Sequence, residues 1–277
     1  MSKIAITGIG GFGGRNFVNY FLNREKIVDN LKDADVVINL DALIDAPPSL
    51  LEPVKFHQYN TCGTLHTLEE IRKHNDDCHF ICASSNLVYG DPLYAPIDEK
   101  HPTNPSSPYA ATRVAQEAYT QAYHNSYGIA TTILRFSNLY GPWGMGVINQ
   151  FIEKAMDRET ITIEGGSQTR TFTYIEDAAL GAYLAILNRK KTNGKTYNIA
   201  GPTTMSINGI AEMLKTVFPK LKTKIIRQRH WDIKSPDFAI NSAKAFAEIG
   251  YEPHYSLAGG ITKIVEWEEG RRTKKRV

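Results

Sequence analysis

Cysteine is scarce, at three in 277 residues. Cys62, Cys78 and Cys82 have neither the even number of a disulfide framework nor the paired spacing of a zinc site. No metal site is expected, and the thiols read as reduced core residues of a cytoplasmic protein. His79, beside Cys78, reads as incidental rather than as a ligand. Long apolar runs are also missing. No stretch reaches the roughly 20 residues of a membrane-spanning helix, so no membrane partner is expected. The opening MSKIAITGIG has no signal-peptide pattern and goes straight into a strand. An excess of one charge is lacking too. A net charge of +3 gives no global pull toward nucleic acid or acidic lipid. The basic end, RRTKKRV, reads as a solvated terminus. There are no internal repeats, which excludes solenoids and propellers.

What is present is an alternation. KIAIT is a short β-branched run of the kind that forms a buried parallel strand. A glycine-rich turn and the helical pattern GRNFVNYFLNRE follow. ADVVINL, CHFICASS and IATTILRFS read as further buried strands, separated by the helices TCGTLHTLEEIRKHN and 109–127. Strand–helix alternation predicts an α/β fold of the Rossmann type, a doubly wound parallel sheet covered on both faces. After Gly141-Pro142 the pattern loosens. Helices at IEDAALGAYLAILNR, SINGIAEMLKTVF and GGITKIVEWEEG flank or follow one more strand, TYNIAG.

Two motifs carry chemistry. TGIGGFGG puts Gly8, Gly11 and Gly14 between a strand and a helix. Glycine there lets the backbone approach a pyrophosphate, and the helix N-terminus offers it free N–H groups. The acid expected to hold the adenosine ribose about 20 residues on is Asp29, in KIVDNL. The chain then enters DADVVINL at once, leaving no room between Glu25 and Asp33 for the usual second crossover. The second motif is PSSPYAATRVAQEAY, residues 105–119. Tyr109 and Arg113 stand four apart on one helix face. Such a pair is either an ordinary surface contact or a cation placed to favour an ionised phenol. Helical spacing alone does not choose.

The landmarks run in one order: TGIGGFGG, VVINLDA, NTCGTLHTLEE, ASSNLVYGD, SPYAATRVAQEAY, LRFSNLYGP, GSQTRTFTYIEDAA, TYNIAG and IVEW. In that order, from Lys3 to about Gly270, the chain resembles the extended short-chain dehydrogenase/reductase superfamily. Within it the chain is similar to the NAD-dependent nucleotide-sugar epimerases and dehydratases of the UDP-glucose 4-epimerase type. The resemblance implies a soluble enzyme that uses NAD rather than NADP and epimerises a nucleotide-activated sugar, at C4, through a transient keto-sugar. It implies that Ser85 bonds the reacting hydroxyl, Tyr109 is the general base and Arg113 stands in for the family's lysine. Gly8, Gly11, Phe12, Gly14, Asp29 and Asn60, with Tyr109 and Arg113, would contact NAD. Ser85, Asn138, Arg170, Arg229 and Asp232 would contact the nucleotide sugar. A homodimer through the helices at 64–74 and 109–127 is implied as well. So is a division into a cofactor domain (1–144 and 170–202) and a smaller α/β substrate domain (145–169 and 203–277).

Departures from the family pattern set further expectations. Arg113 keeps the lysine's charge but is bulkier, so a poorer fit is expected. Asp41 replaces an alanine and would repel the cofactor phosphates if it points inward. Thr171 replaces an aspartate. Asn86 and Leu87 stand where dehydratases carry an acid pair; neither can serve as a general acid, which argues against dehydration. A reductase or decarboxylase of similar fold is the lesser enzyme alternative. The alternative from another class is a catalytically impaired member that binds a nucleotide sugar or a protein partner.

Overall fold

The computed structural model describes residues 1–227 and 238–274. The chain opens with β1 (Lys3–Thr7), α1 (Phe12–Phe21), β2 (Lys26–Ile27) and β3 (Val36–Asn39). Next come α2 (Ala46–Leu51), α3 (Pro53–Phe56), a π-helical run at His57–Cys62, α4 (Gly63–His74) and β4 (His79–Ser85). α5 (Pro108–Tyr127), β5 (Ala130–Phe136), β6 (Asn138–Tyr140), α6 (Val147–Met156), β7 (Ile161–Glu164) and β8 (Thr169–Tyr174) follow. The chain continues through α7 (Ile175–Leu187), α8 (Arg189–Thr192), β9 (Lys195–Ile199), β10 (Thr203–Ser206) and α9 (Ile207–Val217). It closes with β11 (Thr223–Ile226), α10 (Ala243–Ile249) and α11 (Leu257–Lys274).

Six strands form one parallel sheet in the order β2-β1-β3-β4-β5-β9. Alternation along each strand sends side chains to two faces. From β4, Ile81 and Ala83 join Phe17 and Phe21 of α1 and Ala178 and Ala182 of α7. Phe80 and Cys82 join Leu68 and Ile71 of α4 and Tyr123 of α5 on the other face. β3 and β4 are buried along their whole length, which explains their unbroken apolar sequences.

The sheet is shortened where the Glu25–Asp33 spacing requires it. β2 has two residues, and only a 3₁₀ turn at Leu31–Asp33 separates it from β3. β3 pairs on the opposite side of β1, so the chain reverses direction there and opens the sheet's C-terminal edge into a crevice.

The later segments are more ordered than their sequence suggests. β10-β8-β6 form a three-stranded sheet, and β11 pairs with β7. These strands have three to six residues, and their pattern is too short to show a period. β6 and β8 carry Asn138 and Arg170 to the crevice. Among the described residues, no helix is long and apolar enough to cross a membrane. The three thiols are free, Cys78 and Cys82 buried and Cys62 partly so.

Candidate active site

A cleft of about 960 Å³ runs along that edge, from the glycine turn past Ser85, Tyr109 and Arg113 to Asn138 and Arg170. At its first end Gly8 has φ +71°, a backbone state that L side chains rarely adopt. A Cβ on Gly14 would lie 2.1 Å from the Gly8 carbonyl oxygen, so only glycine lets α1 begin this close to the turn. A Cβ on Gly10 would meet nothing within 4 Å, leaving open space over the loop. Gly11 caps α1 with no side-chain hydrogen bond, and no acid lies in the first turn. The helix end therefore keeps its unpaired N–H groups and its positive dipole end for an anion. A dinucleotide pyrophosphate fits this cradle. Phe12 lines it, half-buried.

The centre of the cleft is built on α5. Ser107 caps the helix by accepting the Ala110 N–H at 3.2 Å, and Pro108 stands at its first position. The Tyr109 N–H, otherwise orphaned, goes to Ser49 Oγ of α2 at 3.0 Å. Tyr109 is 7% exposed and Arg113 5%. Arg113 Nε donates to the Tyr109 hydroxyl at 3.1 Å. Arg113 Nη1 donates to the Ala83 carbonyl at 2.9 Å and to Gln116 Oε1 at 3.0 Å. The pair is thus buried and directly bonded, not a surface contact. Within the protein the flat fork spans three acceptors. Nη2 makes no hydrogen bond among the described residues, and Arg113 lines the cleft.

Ser85 ends β4, with its Oγ accepting the Leu87 N–H at 3.2 Å. Directly behind it, Glu117 receives Ser84 Oγ and, bidentately at 2.7 and 2.9 Å, Arg135. Arg135 Nη1 also donates to the Tyr89 hydroxyl at 3.0 Å. This buried ion pair fixes the strand end that presents Ser85.

At the far end, the Asn138 amide donates to the Thr171 carbonyl at 3.2 Å. Arg170, 8% exposed, donates Nη1 to the Thr169 carbonyl and lies 5.5 Å from the Phe238 ring centroid. Gln168 and Phe172 line the same wall. Thr171 bonds Thr204 and the Ile240 N–H, so it ties β8 to β10 and to the chain near 240. Arg229 and Asp232 lie outside the described residues.

Two expected cofactor residues do not line the cleft. Asp29 is exposed, two residues beyond β2. Asn60 is fully buried, and its amide is spent on the Leu43 N–H, the Leu43 carbonyl and Thr112 Oγ1. It holds the Leu40–Ile44 loop against the cleft. Sequence reading missed several residues that do line it: Tyr59, Asp45, Ser107, Gln168, and Met145 to Ile148. Asp45, Ser107, Gln168, Met145 and Gly146 come from connections between elements, Tyr59 from the π-helical run and Val147 and Ile148 from the start of α6, and no periodicity marks them as a site.

The sequence profile described as "NAD dependent epimerase/dehydratase family" matches residues 21–200. A putative UDP-glucose 4-epimerase of Methanocaldococcus jannaschii is 34% identical over 92% of this chain and 87% of its own length. UDP-glucuronate 4-epimerase 5 of Arabidopsis thaliana is 30% identical over 84% of this chain; the match spans 58% of that longer enzyme. Among solved structures, the UDP-glucuronic acid 4-epimerase from Bacillus cereus, in complex with UDP-glucuronic acid and NAD, superposes with a TM-score of 0.89. It covers 97% of this chain and 99% of that one at 24% identity, a likeness of fold.

Proposed function

The chain belongs to the NAD-dependent epimerase/dehydratase family, and from that premise we propose that it epimerises a nucleotide-activated sugar at C4 through a transient keto-sugar. The observation that carries the reading is the buried bond from Arg113 Nε to the Tyr109 hydroxyl, in the same cleft as the glycine cradle. Tyr109 takes the proton of the sugar hydroxyl as a phenolate, which Arg113 stabilises before the transfer, and becomes the neutral phenol. Ser85 holds that hydroxyl from the end of β4. NAD, when bound, supplies the acceptor for the departing hydride and the donor for its return. On the return, Tyr109 gives the proton back to the sugar oxygen.

Asn138 and Arg170 receive the diphosphate in this reading, on the wall that β6 and β8 build. The division into a cofactor part, 1–144 with 170–202, and a substrate part, 145–169 with 203–277, belongs to the same reading, with Ser85, Asn138 and Arg170 falling in the first part and Gln168 and Met145 to Ile148 lining the cleft from the second. Asn86 and Leu87 follow Ser85 with no carboxyl group between them, which favours epimerisation over loss of water. The relatives' names, 4-epimerases of UDP-glucose and UDP-glucuronate, support C4 and a uridine nucleotide.

The test is turnover across UDP-glucose, UDP-glucuronate and UDP-N-acetylglucosamine with the 4-epimer as the assayed product. Tyr109→Phe should lower the rate by about 10²–10⁴, the range for loss of a general base, with NAD binding retained. Wild-type turnover in that variant would remove Tyr109 from the mechanism. Binding of NAD or nucleotide sugar without turnover of any sugar would favour the alternative of a member that has lost catalysis.

A further inference from the structure

We propose that Asp41, and not the acid at the end of β2, is the carboxylate that holds the adenosine ribose of NAD and rejects a 2′-phosphate there. The proposal rests on the reading above that this cleft takes NAD. Asp41 follows β3 on the side of β1 opposite β2. Its Cα lies 2.8 Å from where a Cβ on Gly8 would stand, so it sits against the turn that receives the pyrophosphate. Both riboses of NAD are joined to that pyrophosphate; the nicotinamide half belongs beside Tyr109 and Arg113, where hydride is exchanged, so the ribose left for Asp41 is that of the adenosine half. Asp41 lines the cleft and Asp29 does not.

Asp41 is exposed, with one backbone and one side-chain anchor. Its backbone N–H donates to Thr7 Oγ1 at 3.1 Å. Its Oδ1 accepts from the Tyr59 hydroxyl at 3.0 Å, a bond that raises the Tyr59 pKa and keeps the phenol a donor at neutral pH. Oδ2 makes no hydrogen bond among the described residues. An ionised carboxylate only accepts hydrogen bonds. A phosphate offers it no donor and repels it, whereas the ribose diol offers two. A carboxylate at this point of a dinucleotide cleft is tolerable where hydroxyls meet it. The same charge opposes the second phosphate of NADP.

The shortened sheet explains the exchange of roles. Asp29 stands at the outermost strand, and the chain turns away through the Asn30-capped turn to β3. No second crossover stands beside it to wall in a ribose.

The experiment is calorimetric titration of NAD, NADP and ADP-ribose into the parent, Asp41→Asn and Asp29→Asn proteins. Asp41→Asn should weaken NAD and ADP-ribose binding by about 10- to 100-fold, the scale of hydrogen bonds to a charged group. It should also narrow the preference for NAD over NADP, a ratio that partial misfolding would not move. Asp29→Asn should change neither. If Asp41→Asn binds NAD as tightly as the parent or tighter, the carboxylate only repels the phosphates and the proposal is overturned. A loss confined to Asp29→Asn overturns it equally. Failure of the parent to bind NAD or ADP-ribose at all would instead sink the cofactor reading on which it stands.

Discussion

Arg113 makes three hydrogen bonds through two nitrogens, and a lysine cannot span them from one. Arg113→Lys should therefore keep the charge beside Tyr109 but strand either Gln116 Oε1 or the Ala83 carbonyl, with a moderate loss of turnover. Arg113→Met removes the cation as well and should cost about 1–3 kcal/mol more in transition-state stabilisation, with weaker NAD binding. Steady-state rates and NAD titrations on both variants check the order; equal activity in all three proteins would make the pair structural. A second side chain, His79, sets a pH dependence of stability. It is fully buried, with Nε2 2.8 Å from Thr132 Oγ1. That hydroxyl already donates to the Thr192 carbonyl, so Nε2 must carry the proton and Nδ1 is a bare acceptor without a partner among the described residues. Burial, with Arg189 adding to it, pushes the His79 pKa down to about 3. Unfolded, the ring titrates near 6.5. Between these values the unfolded chain binds the extra proton. Stability from this group is full above about pH 6.5 and falls, by up to about 1.4 kcal/mol per pH unit, as the pH drops toward 3. Urea unfolding at pH 7 and pH 4.5 should show a smaller acid loss in His79→Asn than in the parent.

The buried side of helix α5 does two jobs. Tyr109, Arg113 and Gln116 turn toward the cleft and its support, while Glu117 closes the ion pair with Arg135 of β5. Gln116 extends the support by donating to the Asn60 carbonyl and to Thr64 Oγ1. Thr64 also accepts from Asn39, which in turn accepts from Thr7. A continuous chain of hydrogen bonds, buried from Asn39 onward, thus joins the end of β1 to the tyrosine. The Glu117–Arg135 pair is about nine-tenths buried on both sides. Glu117→Ala should destabilise the protein by about 3–5 kcal/mol, because it leaves Arg135 buried and uncompensated. Glu117→Gln should cost less. Denaturant midpoints measure both, and a shift below about 1 kcal/mol for Glu117→Ala would show that water or another group compensates Arg135.

The expected homodimer would use the outward faces of α4 and α5. Tyr123 of α5 donates to Glu69 of α4 at 2.6 Å, which locks the two helices side by side. Ala118 and Ala122 stay exposed on α5, as does Tyr119 at 39%. Val114 instead packs inward against the cluster around Val88 and Tyr89, so it belongs to the fold rather than to that surface. Sedimentation at micromolar concentration should show a dimer, and Ala118→Arg should shift it to monomer with the fold intact. A monomer in the parent would end the claim.

Local chemistry is what the sequence could show. The glycine turn after the first strand, the Tyr109–Arg113 spacing, the strand-ending Ser85 and the missing crossover are all matters of neighbours in the chain. Each constrains the backbone within a few residues, and each reappears in the fold. Asn60 and Asp29 mark the limit. Both stand at positions the family pattern favours, yet one is spent on Leu43 and the other lies at the edge of a sheet with no further strand beside it. Asp41 took its place in the cleft only when β3 paired with the far side of β1 and brought it against Gly8. The three-residue β6 and the four-residue β10 likewise exist through β8, 30 or so residues away in the chain. Such contacts are set by which elements pack together, and no window of the sequence contains both partners.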